Sequence, residues 1–153
     1  MTEAQRALDL AYKALNRRDR TVFELRAHLE GKLVEPDAIE AVVAELQQEG
    51  LLDDARFAQR FSEDKRMLER WGAERIEREL SRRGVAADLI ETAIAARDRD
   101  GELEAALALL ADKVREPPAD DRGRDRAWRM LVRKGYPPEL AYDAVRAHSA
   151  HLA

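Results

Sequence analysis

Residues 73–94 read AERIERELSRRGVAADLIETAI, and this stretch decides the fold. Ile76 and Leu80 are one helical turn apart, with charged residues between them, so a helix over about 73–83 with one buried stripe is expected. Gly84 is a natural left-handed stop. A further helix follows over about 87–98, with Ile90 and Ile94 facing inward. Sliding this pattern back by 51 residues lays Leu25, Leu29, Val34, Asp37, Ile39 and Val43 onto Ile76, Leu80, Val85, Asp88, Ile90 and Ile94. Sliding it forward by 51 gives Ala127, Leu131, Tyr136, Glu139, Ala141 and Val145, and Gly84 falls on Gly135. One gap-free offset serving both steps marks an internal repeat. In the first copy the glycine slot holds Leu33, so a turn of different construction is expected there.

Outward from that stretch the same signals predict about nine helices and no strand. Ala7, Leu8, Ala11, Ala14 and Leu15 give a helix over 4–17. Thr21 and Glu24 form a capping box that opens the next. Pro36 suits a first helical turn, where its missing N–H costs nothing, and Gly50 closes that helix. Asp53 or Asp54 caps a longer fourth helix running through Phe57, Phe61, Met67 and Leu68, which Trp71-Gly72 breaks. A seventh helix covers about 102–115, and residues 117–123, with two prolines, are the one clear loop. An eighth helix ends at Gly135, and a ninth runs from Pro137-Pro138 to about His148. The expected architecture is an all-α, elongated tandem array of three three-helix, helix-turn-helix-like repeats, divided at 1–53, 54–100 and 101–153. Each repeat is too small to stand alone and leans on its neighbour.

Composition agrees with slender helices that have wide wet faces. In 153 residues, 45% are apolar and 38% charged, and no heptad persists as a coiled coil requires. The absence of cysteine excludes a disulfide framework, a thiolate zinc site and a cysteine nucleophile. Met1-Thr2-Glu3-Ala4 shows no secretory signal and no stretch approaches the roughly 18 apolar residues of a membrane span, so cytoplasmic residence is expected. The net charge of −4 is uneven. Residues 1–54 hold 7 basic against 12 acidic side chains, residues 55–97 hold 10 against 8, and residues 98–153 hold 10 against 11.

The repeat makes the positive charge legible. Arg75, Arg78 and Arg82 lie at i, i+3 and i+7, opposite Ile76 and Leu80. The offset turns them into Arg126, Arg129 and Arg133, and turns Arg83 into Lys134. The first repeat carries Glu24, Ala27 and Gly31 instead. Arg122 extends the later stripe by a turn. Guanidinium groups suit bidentate contact with carboxylates or phosphates, so these nine side chains are the candidate partner-binding residues. The third helix of each repeat would be the reading helix of a DNA-binding helix-turn-helix, yet it exposes Asp37, Glu40 and Glu45, then Asp88 and Glu91, then Glu139 and Asp143. Carboxylates there would repel phosphates, which argues against sequence-specific major-groove reading.

No seat for catalysis is visible. His28 reads as a surface or boundary residue. His148 and His151 sit at i, i+3 in a terminal helix expected to fray, with no third metal ligand. Each glycine stands alone near a helix end, so there is no phosphate loop. Asp53-Asp54 and Asp120-Asp121 read as caps and loop residues. Trp71, Trp128, Phe57 and Phe61 read as core in preference to base-stacking platforms. No enzyme activity, cofactor or metal is expected.

The run Gly50-Leu51-Leu52-Asp53-Asp54-Ala55-Arg56-Phe57-Ala58-Gln59-Arg60-Phe61 resembles the "GLLDD..FA..F" signature of the RecX regulatory proteins. Phe23 to Leu29 is similar to their "ELR..L" helix. Trp71-Gly72 with Ile76, Glu79-Leu80 and Arg83-Gly84-Val85 resembles "G...I..EL..KG", and Leu131 to Tyr136 resembles "L..RGF". The resemblance covers about residues 5–148. It implies tandem three-helix repeats and binding to the RecA recombinase–DNA filament, within its helical groove. It further implies modulation, chiefly inhibition, of strand exchange, ATP hydrolysis and coprotease activity in DNA repair and the SOS response. The expected partners are the RecA filament and DNA, the latter through the filament or weakly and non-specifically, with the chain itself a monomer. The alternative is a stand-alone non-specific DNA-binding protein acting through the arginine-rich second helices. Two departures stand out: Leu33 in place of the usual glycine, and a net acidic chain where many relatives are basic.

Overall fold

A computed structural model describes residues 1–150. Among these, helices occupy Glu3–Arg17 (α1), Val22–Gly31 (α2), Pro36–Gln48 (α3), Asp54–Asp64 (α4), Ala73–Arg82 (α5), Ala87–Ala95 (α6), Arg99–Lys113 (α7), Asp121–Lys134 (α8) and Pro138–Ala150 (α9). No strand occurs among the described residues. The packing divides the chain into two compact units, residues 1–60 with 80–90, and residues 61–79 with those from Glu91 onward.

In the first unit the fully buried residues of α1 are all alanines, with Leu8, Leu10, Tyr12 and Leu15 packed half-buried beside them. Ala7, Ala11 and Ala14 meet Leu25 and Leu29 of α2 and Ile39, Val43 and Leu46 of α3. Burying each of these larger aliphatics is worth about 1.5–3 kcal/mol. The Thr21–Glu24 capping box forms in both directions. The Thr21 hydroxyl does a second job, donating to the Arg83 carbonyl at the end of α5 at 2.6 Å. Asp54 does not cap its own helix. It accepts the Val22 N–H at 2.9 Å, so it caps α2, while Asp53 caps α4 through the Arg56 N–H at 3.0 Å. Burial raises the Asp54 pKa, since it disfavours the carboxylate form.

The second unit repeats this junction 51 residues on. Gly72 and Glu74 donate their N–H groups to the carbonyls of Lys134 and Gly135, each at 2.8 Å. The Ala73 N–H is capped by Glu102 at 2.9 Å, as Val22 is by Asp54. Free donors at one helix start thus meet free acceptors at another helix end, which satisfies both. Glu102 is buried and ion-paired with Arg97. Leu109 and Leu110 of α7, Leu131 of α8, Tyr136, and Leu140, Ala141, Ala144 and Val145 of α9 form the core.

The glycine slot corrects one expectation. Leu33 adopts φ +60, in the same left-handed region as Gly84 at +83 and Gly135 at +104. The hydrogen bonds match as well: Val34 to Leu29, Val85 to Leu80 and Tyr136 to Leu131, all at 3.0–3.1 Å. The first turn is therefore built as the other two are. Glycine is needed at the later two because a Cβ on Gly84 would overlap Phe23, and one on Gly135 would lie 2.7 Å from the Arg75 nitrogen. At Leu33 no such crowding arises: its side chain is 85% exposed.

Other boundaries differ locally. α7 starts at Arg99 because Asp98 caps it through the Gly101 N–H at 2.8 Å, so Gly101 lies inside the first turn and does not stop a helix. Gly123 likewise sits in the first turn of α8, capped by Asp120. The fourth helix widens into a π-turn over Lys65–Glu69 and ends at left-handed Arg70. Met67 and Leu68 are consequently exposed rather than on a buried stripe. His148 is buried where a fraying end was expected, and His151 lies outside the described residues.

Candidate partner-binding surface

The two arginine stripes owe their positions to the helix-end junctions. In the second unit, the start of α5 is pinned to the end of α8, which brings Arg75 to Arg133. The Arg75 guanidinium donates to the Arg133 carbonyl at 3.4 Å and lies 4.2 Å over the Trp71 ring. Lys65 also lies over that ring, at 4.8 Å, so one indole carries two cations. Lys134 donates to the Glu69 carbonyl at 3.0 Å.

The remaining candidates differ in their freedom. Arg129 is exposed and paired with Asp125 at 2.8 Å. Arg78, Arg122, Arg126 and Arg133 are exposed, and among the described residues no carboxylate pairs with them. A guanidinium that spends nothing on an internal partner keeps its planar fork for an external anion. Arg82 and Arg83 fall in the first unit. Arg82 is exposed, and Arg83 is half-buried with its guanidinium 5.8 Å above the Phe57 ring. The structure thus gathers Arg75, Arg133 and Lys134 at one junction, sets Arg122, Arg126 and Arg129 along α8, and ties Arg83 by its backbone to Thr21.

Two features of this surface escaped the sequence reading. Trp71 reads there as a helix breaker, whereas its ring is the support for Lys65 and Arg75. Phe61 meets it edge-on at 6.1 Å. Nothing in the sequence singles out Arg66, yet its guanidinium caps the end of α6 through the Ile94 carbonyl at 2.9 Å. Burial lowers its pKa. Four exposed carbonyls at each helix end are the general signal that such caps are needed, but not which residue supplies them. No three His, Asp or Glu side chains gather as a metal would require among the described residues.

The first three-helix domain of RecX matches residues 7–46, and the second matches residues 53–94. A regulatory protein RecX of Deinococcus radiodurans is 37% identical over 149 residues, covering 94% of this chain and 70% of that protein. The chain belongs to the RecX family. A second regulatory protein RecX, from Mycolicibacterium vanbaalenii, is 33% identical and covers 96% of this chain and 84% of its own length. The crystal structure of RecX from Lactobacillus salivarius superposes with a TM-score of 0.86 over 97% of each chain, at 17% identity. The fold is therefore the tandem three-helix array of RecX proteins. No helix among the described residues is long and apolar enough to cross a membrane.

Proposed function

We propose that this RecX-family chain is a non-enzymatic regulator that binds the RecA–DNA filament in its groove. There it restrains RecA's recombinase, ATPase and coprotease activities. In this reading the three repeats, 1–53, 54–100 and 101–153, act as one cytoplasmic monomer. Arg75, Arg78, Arg82, Arg83, Arg122, Arg126, Arg129, Arg133 and Lys134 supply the contacts. The observation that carries the reading beyond the family is the exposed row on α8, where Arg122, Arg126 and Arg133 have no carboxylate partner among the described residues. Folding makes no use of these charges, so their positions are free to serve an external anionic surface.

The test is co-sedimentation with RecA assembled on single-stranded DNA, alongside DNA alone, over a salt series. The reading expects saturable binding to the filament and weak binding to bare DNA. Tight binding to DNA without RecA, falling steeply with salt, would contradict it and favour the stand-alone DNA-binding alternative.

A further inference from the structure

The π-turn at Lys65–Glu69 carries two adjacent bulky aliphatics, Met67 at 80% and Leu68 at 75% exposure. Scattered single apolar residues on a surface are ordinary, but a consecutive pair on a held turn is not. The turn is held from many sides. Arg70, which ends it, has φ +59 and ψ +35, a left-handed conformation that residues with a side chain rarely adopt. Its carbonyl accepts the Tyr136 hydroxyl at 3.2 Å, and its guanidinium pairs with Asp112 at 2.8 Å. The Glu69 carbonyl accepts Lys134, and the Trp71 N–H closes on the Lys65 carbonyl at 3.0 Å. Strain kept in place by so many contacts, at a π-turn, is a feature of functional sites.

The neighbours of this tip define what it fits. Lys134 is bonded to the Glu69 carbonyl of the turn itself. The Arg75 guanidinium, which also donates to the Arg133 carbonyl, lies over the ring of Trp71 just after the turn. Cations thus flank the segment that carries the aliphatic pair. Glu63, Asp64 and Glu69 are exposed in the same segment. They would repel a phosphate backbone, whereas a protein surface can meet both signs. Resting on the RecA-binding reading above, we propose that Met67 and Leu68 are the apolar anchor of the interface. Their occupant is a protein surface with an apolar socket bordered by carboxylates that face Arg75, Arg133 and Lys134. An apolar centre with a charged rim is how energy is distributed in protein–protein contacts.

The test compares wild type, Met67→Ser/Leu68→Ser and the conservative Met67→Leu/Leu68→Met. Affinity is measured for RecA on single-stranded DNA and for the DNA alone, with circular dichroism as the folding control. The serine pair is expected to weaken filament binding about tenfold or more. It should leave helicity and DNA-only binding unchanged, and the conservative pair should bind as wild type does. Wild-type filament affinity in the serine variant would overturn the anchor while leaving the RecA reading intact. Selective loss of DNA-only binding would make the tip a nucleic-acid wedge and overturn the protein socket. Failure of wild type to bind RecA would overturn the reading and the anchor together.

Discussion

Thr21 and Arg83 are joined across 62 residues of chain by a 2.6 Å hydrogen bond from the threonine hydroxyl to the arginine carbonyl. The same hydroxyl accepts the Glu24 N–H at 3.1 Å. One buried side chain therefore caps the start of α2 and the end of α5 at once. Thr21→Val keeps the shape and removes both bonds. The expected loss is about 2 kcal/mol, from the lost cap and the stranded carbonyl. Thr21→Ser should recover most of it. Urea unfolding of the three proteins checks this.

The three left-handed turns should respond to substitution with opposite signs. Gly84→Ala and Gly135→Ala place a methyl group against Phe23 and Arg75, and each is expected to destabilise by more than about 1 kcal/mol. Leu33→Gly relieves a left-handed leucine that has no crowding neighbour to lose. It is expected to be neutral to stabilising by up to about 1 kcal/mol, the relief being offset by glycine's greater freedom when unfolded. Thermal unfolding of the three single variants distinguishes the signs.

His28 binds protons less readily in the fold than the ordinary imidazole value of 6.5 implies. Partial burial is the first cause, followed by the nearby charges of Arg20 and Lys32. The folded chain then binds fewer protons at this site than the unfolded one, so stability rises with pH just below 6.5 and is lost as pH falls. His28→Gln should flatten that part of the stability–pH curve, as read by urea midpoints between about pH 5 and pH 7.

The repeat was legible because core positions such as Leu25, Ile76 and Ala127 must recur wherever the same packing recurs. Caps were legible when they were local, as at Thr21–Glu24. They were illegible when the partner lay far along the chain. Asp54 looks like a cap for its own helix, yet it serves Val22. Glu102 gives no sign of capping Ala73 across 29 residues. Leu33 misled because sequence records which residue fills a slot and not whether a neighbour crowds it. The arginine stripes were visible as spacing, but the difference between half-buried Arg75 and exposed Arg126 depends on Trp71, whose ring position no spacing announces. The Met67-Leu68 tip was hidden for a related reason, since an α-helical register carried past Asp64 puts both on the buried side.

The central claim is that the α8 stripe engages RecA. The direct measurement is the single-stranded-DNA-dependent ATPase rate of RecA titrated with wild type and with Arg126→Glu/Arg129→Glu/Arg133→Glu. These side chains are exposed, so the triple variant should keep its helicity by circular dichroism. The account predicts inhibition by wild type and an inhibitory concentration raised about tenfold or more for the folded variant. Undiminished inhibition by that variant would contradict it.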